Sequence, residues 1–132
     1  MYLLDTNACI RVLNDSSPRL IDRLRQHRPS ELRLCSVVKA ELLFGARKSG
    51  DPARNLRVLR RLFEPLVSLP LDDASAEACG TIRSELERSG IPIGANDLLI
   101  AASAVAHDAV LVTHNVREFS RVPGLSLEDW ET

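Results

Sequence analysis

Three carboxylates in this sequence stand where a carboxylate is costly. Asp5 ends the apolar run Tyr2–Leu4 in "MYLLDTNACI", Glu41 lies inside "VVKAELLFGA", and Asp97 opens "DLLIAASAVA". An isolated ionised carboxylate among apolar groups shifts its pKa or acquires a partner. Partners along the chain are lacking. Lys39 and Arg47 stand two and six positions from Glu41, off the three-or-four spacing of one helical face, and the run that Asp97 opens has no Lys or Arg. If the three acids converge, each raises the pKa of the others unless a cation neutralises them. An oxygen-only donor set suits a hard divalent ion, Mg²⁺ or Mn²⁺. No His/Cys cluster has the spacing of a zinc site.

The stretch "VTHNVREF" adds donors. Asn115 offers a carbonyl oxygen to an ion or its water, Glu118 a fourth carboxylate, and Thr113 a hydroxyl to orient a ligating acid. Plainer readings stay open. Asp5 is also a good helix cap, Asp97 a first-turn acid answering the helix dipole, and Glu118 part of a polar loop. Glu41 has no such local role. His114 reads as exposed and incidental, and His27 and His107 as helix-end residues facing the dipole.

Short strands alternate with helices. Tyr2–Leu4, "LRLCS", "LVSL" and "AVLVT" read as strands, with "LSLEDW" as a fifth. Between them the pattern predicts helices over Ala8–Asn14, "SSPRLIDRLRQH" with Ser17 as cap, and "VVKAELLFGARKS" with Ser36 as cap and Gly50 at its end. Further helices are expected over "PARNLRVLRRLF", "ASAEACGTIRSELERS" behind Asp72 and Asp73, and "DLLIAASAVAHD". This alternation predicts an α/β fold: a doubly wound parallel sheet of four to five short strands with helices on both faces, in one domain over residues 1–132. Sites in such sheets gather at the carboxyl ends of strands. Asp5 lies at one such end, and Thr113, His114 and Asn115 at another.

Composition sets bounds. The 132 residues are 45% hydrophobic and only 4% aromatic, so the core rests on aliphatic side chains. No run approaches the roughly 18 apolar residues of a membrane span, and no secretory signal is evident. The three cysteines, Cys9, Cys35 and Cys79, read as small core residues in a reducing cytoplasm. Net charge is −1, but it is unevenly spread. Arg19 to Arg61 holds twelve Lys and Arg against four acids, and Leu62 to Thr132 four Arg against twelve acids. On charge alone a solvated Arg-rich surface explains the basic half. A polyanion partner explains it too. Arg47, Lys48, Arg54, Arg57 and Arg61 are the candidates for that contact, the last three at helical spacing.

"LLDTN", "SVVKAELLFGARKS", "GIPIGANDLLIAA" and "LVTHNVREFSRVPGLSLEDW", in that order over nearly the whole chain, resemble the PIN-domain ribonucleases, and most of all the VapC toxins of toxin–antitoxin pairs. The resemblance implies Mg²⁺- or Mn²⁺-dependent cleavage of RNA, with tRNA the expected substrate. It implies Asp5, Glu41 and Asp97 as catalytic metal ligands, with Asn115 or Glu118 completing the set and Thr6, Asn7 and Thr113 in support. Many members have Asp where this chain has Asn115. The resemblance further implies a VapB-like antitoxin that fills the cleft, and a homodimer. Two alternatives remain: a related nuclease acting on DNA or in RNA maturation, and a non-catalytic protein-binding module.

Overall fold

The computed structural model describes all residues, 1–132. Five strands, β1 (Tyr2–Leu4), β2 (Leu32–Cys35), β3 (Val67–Leu69), β4 (Val110–Val112) and β5 (Leu127–Glu128), form one sheet in the order β3-β2-β1-β4-β5. Every pairing is parallel. Seven helices connect them: α1 (Thr6–Leu13), α2 (Pro18–Arg25), α3 (Ser36–Lys48), α4 (Pro52–Phe63), α5 (Asp73–Arg88), α6 (Ala95–Ala106) and α7 (Val116–Phe119). This is the expected doubly wound α/β architecture. The winding reverses at β1, with β2 on one side and β4 on the other, so the carboxyl ends of β1 and β4 border the crevice where such folds place ligands.

The core follows from burial of the sheet on both faces. Leu3, Leu34 and Leu111 are fully buried in adjacent strands. Helix α6 lies close on the sheet because Ala101, Ala102 and Ala104, also fully buried, hold its surface flat. Cys9 and Cys35 are buried as expected, while Cys79 is half-buried.

Several boundaries differ from expectation, each for a local reason. Helix α1 begins at Thr6 rather than Ala8, because the Asp5 carboxylate caps it. Ser36 is the first helical residue of α3, not its cap; Cys35 holds the cap position with extended backbone and no side-chain bond. Ser17 sits at the cap of α2 without a side-chain hydrogen bond, so Pro18 at the first helical position sets that start. The carboxyl end of α3 falls at Ser49, whose N–H and hydroxyl both donate to the Ala46 carbonyl, one residue before Gly50. Asp72 caps α5 by accepting from the Ser75 N–H, and Gly90 past its end has φ +70°, a conformation glycine adopts without strain.

His27 does more than face a helix dipole. Its ring stacks on Trp130 with centroids 4.8 Å apart and planes 3° from parallel, and packs against Tyr2 at 4.6 Å. Trp130, 1% exposed, donates its indole N–H to Glu128 Oε1, which also receives Arg23. Three of the chain's few aromatic rings thus fasten the C-terminal segment to the start of β1 and the end of α2. Trp130→Ala removes the largest fully buried side chain; a loss of about 3–5 kcal/mol is expected from urea unfolding. A loss under about 1 kcal/mol would mean that the segment is only loosely held.

Candidate active site

Asp5 continues β1 past its last residue: its N–H donates to the Val112 carbonyl at 3.1 Å, so the backbone is still paired with β4 when it turns into α1. The side chain is 5% exposed and has both oxygens engaged. Oδ1 accepts the Ala8 N–H at 2.8 Å, the helix-cap bond, and Oδ2 accepts the Thr113 hydroxyl at 2.6 Å. Thr113, 1% exposed, is held in turn: its N–H donates to the Glu128 carbonyl and its oxygen accepts the Asn115 N–H at 3.0 Å. Capping therefore occupies only one oxygen of the Asp5 carboxylate, and the other turns to β4.

Glu41 reaches from α3 to the first turn of α1, where Oε1 accepts the Thr6 hydroxyl at 2.7 Å. Asp97 is the third residue of α6, behind Gly94 at the cap. Glu118, in α7, accepts the Gly94 N–H at 3.1 Å and the Asn115 side-chain amide at 2.8 Å. A Cβ placed on Gly94 would lie 3.7 Å from Asp97 Oδ2 and 3.9 Å from Glu118 Oε1, so both acids flank one backbone point.

Electrostatics ties the four acids together. Burial pushes the Asp97 carboxyl up to about 6, aided by the charge of Glu118, a hydrogen bond shared with it, and the charges of Glu41 and Asp5. Burial also raises Asp5, against the bonds from Thr113 and Ala8 and the nearby Arg11 charge. Burial opposes the charge of Glu118 as well, but the Asn115 amide, the Gly94 N–H and Asp97 outweigh it, and Glu118 titrates below its ordinary value. Asp97 and Glu118 are thus pushed in opposite directions, Asp97 up and Glu118 down, by their mutual contact.

The sequence-derived set meets the structure unevenly. Asp5, Glu41 and Glu118 are near enough to raise the Asp97 carboxyl by their charge, with Thr6 bonded to Glu41 and Thr113 to Asp5. Asn7 is exposed and its side chain makes no hydrogen bond, so it does not support the site directly. Asn115 donates its side-chain NH2 to Glu118 and its backbone N–H to Thr113, which leaves its side-chain carbonyl without a protein partner. Of the basic residues, Arg54 lines a cleft of about 450 Å³ with Glu41, Gly45 and Asn14. Arg47, Lys48, Arg57 and Arg61 are exposed outside it. The four acids offer only oxygen donors, the kind a hard divalent cation takes, but no three of them bring donor atoms within 4.8 Å of one another; Arg11 and Arg121 are the cations whose charge reaches Asp5 and Glu118.

Comparison with known proteins agrees with this geometry. The family model described as PIN domain matches residues 2–125. The chain is 39% identical to the tRNA(fMet)-specific endonuclease VapC of Salmonella typhimurium, with 98% of this chain and 97% of that one covered. It is 37% identical to ribonuclease VapC2 of Rickettsia felis, covering 99% and 98%. The crystal structure of DNA-bound VapBC from Salmonella typhimurium superposes with a TM-score of 0.92 at 38% identity, covering 98% of this chain and 97% of that one. The chain belongs to the PIN-domain family, among its VapC ribonucleases.

The candidate site has neighbours that sequence reasoning missed. Glu131 and Arg11 form an ion pair at 3.3 Å, and the charges of both reach Asp5. His114, read as incidental, is exposed but its Nδ1 bonds Asp129 Oδ2 at 3.0 Å. His114, Asp129 and Glu131 are the one group of three potential ligands whose donor atoms lie within 4.8 Å of one another. The acidic end "EDWET" was the available signal, but nothing in it says that the C-terminal segment folds back beside β1.

In metal-free buffer, Asp97 makes the fold pH-sensitive. Its pKa of about 6 exceeds the 3.8 of an ordinary Asp. The folded protein therefore binds the proton more tightly, and this contribution is complete below pH 3.8 and lost as pH rises through 6. Asp97→Asn should gain stability relative to wild type across that window, measured by urea unfolding with EDTA. A difference that stays flat with pH would remove the raised pKa from the account.

Proposed function

We propose that this chain, read as one PIN domain over residues 1–132, is a divalent-metal-dependent endoribonuclease and the toxin of a toxin–antitoxin pair. It cuts tRNA in a loop and so stops translation until a VapB-like antitoxin occupies the cleft. The observation that carries this reading is the charge-coupled group of Asp5, Glu41, Asp97 and Glu118. Support comes from the likeness to a tRNA(fMet)-specific endonuclease and to VapBC structures, a family of toxin–antitoxin systems.

Asp5, Glu41 and Asp97 would hold Mg²⁺ or Mn²⁺, with Glu118 completing the set. Bound there, such an ion lowers the pKa of a water and offsets charge on the scissile phosphate. The residues of the chain do the positioning. Thr113 and the Ala8 N–H fix the plane of the Asp5 carboxylate, and Thr6 fixes Glu41. Asn115 and the Gly94 N–H keep Glu118 ionised and aimed at Asp97. Asn115 thus serves the site as a positioning residue where many relatives carry an acid. Attack of water on phosphorus, with departure of the 3′ oxygen, leaves 5′-phosphate and 3′-hydroxyl ends.

RNA would be held by the exposed Arg47, Lys48, Arg54, Arg57 and Arg61, which line the end of α3 and the outer face of α4; Arg60 is exposed on the same helix. The charge asymmetry then has a use: the basic half grips the backbone beside an acidic half that would otherwise repel it. A second toxin copy has a candidate seat in the partly apolar groove of about 390 Å³ between α5 and α6, lined by Leu86, Ile93, Leu98 and Leu99.

Total tRNA incubated with antitoxin-free protein should give discrete fragments with Mg²⁺ or Mn²⁺, none with EDTA, and none with Asp5→Asn. Single-stranded and flap DNA in parallel should stay intact. Preferential DNA cleavage would favour the DNA-nuclease alternative, and growth arrest that survives Asp5→Asn would favour the binding module. Separately, replacing Arg54, Arg57 and Arg61 together should lower the slope of log affinity against log salt by about 2 for single-stranded RNA. An unchanged slope would move the RNA path off α4.

A further inference from the structure

Phe44 is 67% exposed, more than any other large apolar side chain of the protein. It lies on α3 one turn after Glu41, on the same side of the helix. One turn further on, the Lys48 ammonium stands 5.8 Å from the centre of its ring, and exposed Arg47 lies between them in sequence. Gly45, the next residue, lines the cleft with Glu41 and Arg54, and no atom lies within 4 Å of where its Cβ would be. The helix surface between the ring and the cleft wall is therefore bare. Core packing does not explain a ring so exposed, and a membrane or greasy partner does not explain the cations around it.

We propose that Phe44 is a stacking platform for one unpaired RNA base next to the bond that is cut, with Lys48 and Arg47 on the adjoining phosphates. This rests on the ribonuclease reading and adds how that site recognises its substrate. Every base offers a π face, so an aromatic ring captures any splayed nucleotide without reading its identity. A base paired within a helix is already stacked on both sides and cannot be offered, whereas a loop base can. The platform thus selects for loops over stems. The charge of the surroundings favours RNA over a second copy of this chain: Arg47, Lys48, Arg54, Arg57, Arg60 and Arg61 would face the same cations on an identical surface.

The test is a binding cycle in EDTA, so that no turnover occurs. Fluorescence anisotropy would be read for a labelled tRNA-derived loop oligonucleotide and for a series with one abasic position each. Phe44→Ala should weaken binding of the intact loop on the order of tenfold, and Phe44→Trp should restore it. In the wild type one abasic position should show a similar penalty, and in Phe44→Ala that penalty should vanish. Unchanged affinity in Phe44→Ala, or a loss that persists equally at every abasic position, would overturn the proposal. So would a change in sedimentation coefficient of Phe44→Ala without RNA, which would assign the ring to a contact between copies. Loop binding that depends on Phe44 without metal-dependent cleavage of tRNA would keep the platform and sink the ribonuclease reading. Absence of RNA binding by the wild type would sink both.

Discussion

The structure turns on keeping a buried carboxylate charged. Asp5 sits almost fully out of water at the end of a central strand, and burial alone favours its neutral form. Two hydrogen bonds oppose that, one from the first turn of α1 and one from the hydroxyl of Thr113 at the end of the neighbouring strand. Each bond needs an exact backbone. Helix α1 has to start at Thr6, and β4 has to end where its next residue faces the carboxylate. The parallel register that pairs Leu4 with Val112 provides the second condition. The sheet order provides the rest, by setting the end of β1 between helices that bring Glu41 and Asp97.

The other acids are arranged with the same economy. Thr6, one residue after Asp5, holds Glu41, so one strand end controls two carboxylates. Asp97 and Glu118 stand together beside Gly94, whose N–H and the Asn115 amide hold Glu118. Most of the oxygens thus have a protein donor, and mutual repulsion is met by hydrogen bonds.

Much of this was legible in the sequence. Apolar runs bounded by caps marked the strands and helices. The oddity of Glu41, an acid inside an apolar helix with no partner at helical spacing, pointed to a long-range role, and that role is visible in its bond to Thr6. Asp5 was legible as a cap or as a site residue, but not as both, because the second oxygen is engaged by Thr113, 108 positions away. The bond from the Asn115 amide to Glu118 was not legible for a related reason: spacing shows that an amide lies near an acid, not which neighbour it will bond. His27 and Glu131 were unreadable, since both depend on the path of the C-terminal segment over the sheet edge. Cap details such as Ser36 and Ser17 failed because a residue that prefers a cap need not sit at one.

The strand order has a consequence for how the protein is made. β1 leaves the ribosome first, yet its final partner β4 and the threonine that steadies Asp5 come more than a hundred residues later. The C-terminal segment that stacks Trp130 on His27 and sets Glu131 near Asp5 comes later still. During synthesis the chain carries all of its early acids but no cleft. A chain that lacks β4 leaves that edge of β1 unpaired and Asp5 without the Thr113 hydroxyl. The acids are therefore gathered late in synthesis, once β4 has joined β1 and Thr113 has reached Asp5.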